Sequence, residues 1–173
     1  MLLDIAGLQY IPTYLDGATH DRLLAAVDEQ PWLRSADRGV QVYGYSYHRA
    51  SDTAFPVGPL PAWATDLAVR LCHDGLMPSV PDQLVVNDYP EGAGIFSHVD
   101  QSVFGATIAS VSLGSTCVMQ FVHIAARRRF TQALSWHPGT GSCPHRSRRH
   151  ACEPEPEALG STALRRRRER MAG

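Results

Sequence analysis

From Val40 to Tyr47 the side chains alternate with a period of two, the pattern of a β-strand. Val40, Val42, Gly44 and Ser46 fall on one face, and Gln41, Tyr43, Tyr45 and Tyr47 form an aromatic side on the other. Two other stretches have helical spacing. Between Ala18 and Glu29, Leu23, Leu24 and Val27 align, Thr19 is a candidate N-cap and Pro31 ends the run. From Ala62 to Cys72, Trp63, Leu67 and Leu71 form a second apolar stripe. Leu8, Tyr10, Ile11 and Tyr14 predict a short strand before the first helix, and the Pro- and Gly-rich stretch Ser51 to Pro61 predicts a loop. Further strands are expected over Leu84 to Tyr89, Ile95 to Val99, Ala106 to Leu113 and Cys117 to Phe121, with a turn at Gly114-Ser115. N-terminal helices followed by short strands predict an α+β fold built on a jelly-roll-like double sheet. Phe96, Val99, Ile108, Val111 and Leu113 are its expected core residues.

A chain of 173 residues with 44% hydrophobic content can bury one core. Its charge divides it in two. Residues 1–123 carry 5 Arg against 13 acidic residues, a net of -8, whereas residues 124–173 carry 11 Arg against 4, a net of +7. There is no Lys, which points to a biased coding composition. Cys72, Cys117, Cys143 and Cys152 form no dense framework and the N-terminus lacks a basic secretory start, so a reducing cytoplasm is expected; the chain is also expected to be a monomer. The uncharged stretch Gln101 to Ala126 is long enough to raise the question of a membrane span. Its Gln, Ser, Gly and His residues argue for strands and turns, and no membrane partner is expected.

The chemistry-bearing motif is His98-x-Asp100. On a strand, residues i and i+2 point the same way, which would set an imidazole beside a carboxylate. A non-haem Fe(II) centre uses two His and one carboxylate and keeps its remaining positions open. Asn87-x-Tyr89 precedes this pair, with turn glycines Gly92 and Gly94 between; Ser110-Val111-Ser112-Leu113-Gly114 and Met119-Gln120-Phe121 follow.

These motifs, with Arg38 to Tyr47 upstream, resemble the first half of the catalytic core of AlkB-type 2-oxoglutarate- and iron-dependent dioxygenases, over about residues 8 to 123. The resemblance implies a double-stranded β-helix, incomplete at its C-terminal end, with His98 and Asp100 as Fe(II) ligands. It implies that Asn87 and Tyr89 hydrogen-bond 2-oxoglutarate, with O₂ as the other cosubstrate. It also implies oxidative demethylation of alkylated DNA or RNA, whose target base must be flipped out or presented on a single strand. Tyr43, Tyr45 and Tyr47 then have two readings, packing against the helices or stacking on such a base.

Residues 124–173 do not follow the pattern. Where a distal His and a carboxylate-gripping Arg would stand, there are Arg127-Arg128-Arg129, a Pro/Gly/His/Arg-rich run to His150, Glu-Pro repeats and Arg165 to Arg170. Beyond Phe130 to Trp136 there is little apolar periodicity, and such composition predicts that much of this stretch is disordered. A shifted reading frame in a GC-rich gene would produce it. So would a basic arm for nucleic acid, or a zinc site at Cys143, His145, His150 and Cys152. His150, 52 positions after His98, is a candidate for the third iron ligand, although no strand pattern surrounds it. A non-catalytic remnant that binds nucleic acid through its basic tail is the alternative to an enzyme.

Overall fold

The computed structural model describes residues 7–35, 38–48, 50–51, 53–96, 98, 100, 102–123, 128–134 and 162–167. Helix α1 (Gly17–Asp28) turns His20, Leu23 and Val27 inward, three positions on one helical face. Its N-cap is Asp16 rather than Thr19: the Asp16 carboxylate accepts the Thr19 N–H at 2.7 Å, using a donor the helix cannot pair internally. Helix α2 (Ala62–His73) buries Ala64, Leu67, Ala68 and Leu71. It stops at Gly75 (φ 73°), where the Leu76 N–H returns to the Leu71 carbonyl at 3.0 Å.

The segment ahead of α1 forms no strand. It is tied down by side chains instead of a ladder: the Tyr14 hydroxyl donates to Asp74 Oδ2 at 2.8 Å, and Arg70 donates to the Tyr14 carbonyl at 2.8 Å. The Arg70 guanidinium lies 4.4 Å from the Tyr14 ring centre.

Among the described residues, eight strands follow or flank the helices: β1 (Leu33–Ser35), β2 (Arg38–His48), β3 (Thr53–Gly58), β4 (Leu84–Asp88), β5 (Ser110–Gly114), β6 (Cys117–His123), β7 (Arg128–Leu134) and β8 (Thr162–Arg167). The main sheet runs β1-β2-β4-β8-β5, with β3 along the second half of β2, and β6 and β7 form a separate hairpin. A strand stands where Ser51 to Pro61 predicts a loop, because β3 pairs on one side only and an edge strand tolerates Pro56. The alternation of β2 is interrupted at Gly44 (φ 77°), where the register against β3 shifts.

The core lies between the helices and one face of this sheet. Leu84 and Val86 from β4 and Val111 and Leu113 from β5 meet Leu15, Leu23, Val27, Leu67 and Leu71. Gln41 on β2 is buried on the same side, opposite Val86, and would be costly there without partners. Its Nε2 donates at 2.9 Å to the Val27 carbonyl near the end of α1, which also accepts the Gln30 N–H at 3.2 Å, and its Oε1 accepts the Tyr43 hydroxyl at 3.0 Å. Tyr43 meets Trp63 of α2 edge-on, ring centres 6.1 Å apart, so at this position the aromatic side packs on a helix. The buried His20 joins α1 to the sheet: its Nε2 accepts the Gly114 N–H at 3.0 Å while Nδ1 lies 2.8 Å from Asp21 Oδ1.

Three expectations are corrected. Phe96 is 93% exposed, not core. The described residues between Ile95 and Asp100 are in no strand, because they follow the Pro90–Ala93 turn without a partner strand; Val99 lies outside the described residues. Within the stretch expected to be disordered, β7 pairs antiparallel with β6 and β8 pairs parallel with both β4 and β5. Backbone hydrogen bonding needs no particular side chain, so an Arg-rich segment can satisfy an open strand edge. The remaining tail, including Cys143, His145, His150 and Cys152, lies outside the described residues.

Two outcomes follow from this packing. A Cβ at Gly44 would collide with the Asp82 carbonyl oxygen and carry a strained φ, so Gly44→Ala should destabilise the fold by roughly 2–4 kcal/mol in urea unfolding. Hydrogen bonds from Tyr14, then from His73, hold the Asp74 carboxyl below the 3.8 of an unperturbed aspartate. A group depressed on folding contributes stability above its unfolded value and loses it as pH falls through the folded one. Asp74→Asn should therefore lose less stability than the unmodified chain when melting is compared at pH 6 and about pH 3.

Candidate metal centre and its neighbouring strand

Strand β4 supplies the first part of the site. With Leu84 and Val86 turned into the core, alternation sends Asn87 to the opposite face, and Tyr89, one residue past the strand, follows it. Both are 7% exposed. Antiparallel pairing of Gly39 with Asp88 and Val40 with Asn87 brings the start of β2 alongside, and Arg38 Nε donates to Asn87 Oδ1 at 3.0 Å.

The chain then turns through Pro90–Ala93, closed by the Ala93 N–H on the Pro90 carbonyl at 3.0 Å, with Gly92 at φ 79°. Beyond it stand His98 and Asp100, on a loop rather than a strand. His98 Nε2 lies 3.4 Å from Asp100 Oδ1, with side chains 38% and 27% exposed. His98 Nδ1 lies 2.8 Å from the Phe96 carbonyl oxygen. A carbonyl only accepts, so Nδ1 carries the hydrogen and the ring orientation is fixed. Nε2 then faces the carboxylate either protonated or with its lone pair, and the second arrangement is stable only with a cation between them. Donors about 2.1 Å from a shared divalent ion at roughly right angles sit about 3.0 Å apart, a few tenths of an ångström from the spacing here. The pair thus fits two positions of a divalent metal, with the Phe96 carbonyl in the outer-sphere role that orients a ligating imidazole.

The structure thus gathers the four candidate residues into two pairs. Asn87 and Tyr89 share a face of the sheet, and His98 and Asp100 converge beyond the turn. Asn87 makes no hydrogen bond to His98 or Asp100 among the described residues. No third His, Cys, Asp or Glu joins the His98–Asp100 pair among the described residues, and His137, His145 and His150 lie outside them. Sequence reasoning missed Arg38 as a partner of Asn87. The signal becomes visible only with the β2–β4 register, which brings residues 49 positions apart into contact.

Comparison with known proteins extends this picture. The family model of the 2OG-Fe(II) oxygenase superfamily matches residues 24–150, beyond His123 where the motif likeness ends. The Alkylated DNA repair protein ALKBH8 homolog of Arabidopsis thaliana is 38% identical over 128 residues, covering 69% of this chain and 37% of that protein. The tRNA (carboxymethyluridine(34)-5-O)-methyltransferase ALKBH8 of Mus musculus is 33% identical over 129 residues, covering 68% of this chain and 19% of that protein. The "Probable RNA/DNA demethylase ALKBH6" of Danio rerio is 24% identical over 116 residues, 65% of this chain and 48% of that one. The chain therefore spans well under half the length of the first two. No solved structure matches it. Among the described residues, no helix is long and apolar enough to cross a membrane.

If His98 and Asp100 share a cation, Mn(II) added to the purified chain should bind at one site read by electron paramagnetic resonance. His98→Ala and Asp100→Ala should each weaken that binding at least tenfold. Equal binding by the unmodified chain and both variants would remove the pair from the metal site.

Proposed function

The chain belongs to the 2OG-Fe(II) oxygenase superfamily, and from that membership we propose that it is an AlkB-like dioxygenase that oxidatively removes alkyl groups from nucleic-acid bases. The observation that carries this reading is the His98–Asp100 pair, 3.4 Å apart, with the imidazole oriented by the Phe96 carbonyl. In this reading His98 Nε2 and an Asp100 oxygen hold Fe(II), while Asn87 and Tyr89 donate hydrogen bonds to the 2-oxoglutarate carboxylates. Bound together, Fe(II), 2-oxoglutarate and O₂ supply the oxidising chemistry, which puts a hydroxyl on the alkyl carbon and yields succinate and CO₂. The hydroxylated carbon then leaves as an aldehyde and returns a hydrogen to the base nitrogen. The residues of this chain bind and orient. His98 keeps its proton on Nδ1, which leaves Nε2 as a ligand, and the half-exposed pair lies open to a substrate approaching from solvent.

A polyanionic substrate suits the charge distribution only through the tail. Residues 1–123 are net -8 and would repel phosphates, whereas residues 124–173 are net +7. The tail therefore supplies the attraction, and binding should weaken steeply with salt as counterions are released. The printed names of the relatives refer to DNA repair, to tRNA and to RNA/DNA demethylation, so alkylated DNA and RNA are the two substrates to compare. The methyltransferase activity in one name describes a protein of which this chain covers 19%.

The test is succinate formation from 2-oxoglutarate with Fe(II), ascorbate and an alkylated oligonucleotide, in DNA and RNA forms. With two of three metal ligands assigned, slow turnover is expected, abolished by His98→Ala or Asp100→Ala and unchanged by His150→Ala. Robust turnover lost in His150→Ala would make His150 the third ligand. Salt-sensitive oligonucleotide binding without any succinate would replace the enzyme with a nucleic-acid-binding module.

A further inference from the structure

Arg38 is a half-buried cation at the start of β2 with no carboxylate within 4.0 Å among the described residues. Its one described hydrogen bond is from Nε to Asn87 Oδ1 at 3.0 Å. That contact fixes more than a distance. Arginine has five donors and no acceptor, so the Asn87 atom facing it must be the oxygen. The Asn87 amide is therefore held in one of its two orientations, with the Nδ2 hydrogens turned away from Arg38. Among the described residues no acceptor takes a hydrogen bond from Nδ2, although Asn87 is only 7% exposed. The register extends this to Tyr89. Gly39 pairs with Asp88 and Val40 with Asn87, so Arg38 stands across from Tyr89, and Arg38, Asn87 and Tyr89 share the sheet face away from the helices. A guanidinium cation, an amide presenting its N–H₂ and a phenol on one small surface select an anionic, planar acceptor over a cation or an apolar group.

We infer that Arg38 is the positioning residue of the 2-oxoglutarate subsite, setting the Asn87 amide so that Nδ2 donates to a cosubstrate carboxylate and adding positive charge beside it. This rests on the proposed role of Asn87 in binding 2-oxoglutarate. It also places a cation of that subsite on an early strand, 49 residues before Asn87. Without Arg38 the amide could flip and present its oxygen to a carboxylate, turning an attraction into a repulsion.

The experiment measures 2-oxoglutarate binding to the full chain by calorimetry, with Mn(II) in place of Fe(II), for the unmodified protein, Arg38→Met, Arg38→Lys, Asn87→Ala and Arg38→Met/Asn87→Ala. Arg38→Met and Asn87→Ala should each weaken binding about tenfold, the scale of one charge-assisted hydrogen bond, and Arg38→Lys should recover part of the loss. Because Arg38 acts through Asn87, the double variant should bind no more than about twofold worse than Asn87→Ala. A second readout needs no ligand: the two Nδ2 protons of Asn87, resolved by ¹⁵N nuclear magnetic resonance, should shift and broaden in Arg38→Met while backbone signals elsewhere stay in place. Several outcomes would overturn the inference. If Asn87→Ala weakens binding and Arg38→Met does not, Arg38 has no such role and the site reading stands. If the two losses multiply in the double variant, Arg38 acts on its own. If Asn87→Ala leaves binding unchanged, or the unmodified chain binds no 2-oxoglutarate, the reading of the subsite fails and this inference with it.

Discussion

One strand serves two chemistries because a strand alternates. Val86 is fully buried against α1 and α2, and that burial allows β4 only one orientation. A one-residue slip would carry Val86 to the other face and Asn87 into the apolar layer, where its amide would lose its partner. The hydrophobic core thus sets the direction of Asn87 and, beyond the strand end, of Tyr89. The same pairing fixes β2: Gln41, opposite Val86, points to the helices and hydrogen-bonds the last turn of α1, so Arg38 must point the other way, toward Asn87. Core packing and presentation of the polar face are one constraint, and a substitution that loosens Val86 acts on both.

The His98–Asp100 pair depends on a different device. His98 and Asp100 stand on a loop, so no ladder fixes their spacing. Their convergence rests on the Pro90–Ala93 turn and on the Phe96 carbonyl that holds the imidazole. Gly92, at φ 79°, takes a backbone conformation that other residues enter only with strain, which explains a glycine between Tyr89 and His98. A loop-borne pair is less rigid than a strand-borne one, and a bound cation would remove the repulsion between a lone pair and a carboxylate while drawing the two ligands together. A metal bound there would stabilise its own site.

Much of the fold is legible in the sequence because periodicity reports burial. The stripe of α2, the alternation of β2 as far as Tyr43 and the strands at β4 and β6 are visible as patterns of apolar and polar residues. What stays hidden depends on partners far along the chain. Asp16 and Thr19 are both acceptable caps on propensity, and only geometry selects the residue whose oxygen reaches the third amide. Pro56 argues against a strand until β3 is seen to lie at an edge. Phe96 looks like core by composition but follows a turn that takes it off the sheet. The candidate site divides in the same way: His98, Asp100, Asn87 and Tyr89 stand out as a motif, whereas Arg38 gains its meaning from a contact across the sheet.

The tail shows how composition can mislead in the opposite direction. Side-chain content says whether a segment can bury apolar area, and an Arg-rich run cannot; it says nothing about unpaired backbone groups waiting elsewhere. Strands β4 and β5 run in the same direction, since both are parallel to β8, and each would be left with an open edge if that place were empty. An extended segment that reaches the slot gains two backbone ladders at once. Such a segment must be parallel to both neighbours or antiparallel to both, and β8 takes the parallel course, whereas every other described strand pairing is antiparallel. A jelly roll is antiparallel throughout, so β8 fills a position in the sheet without following that topology. The open edges of β4 and β5 thus leave a place that a strand parallel to both can fill.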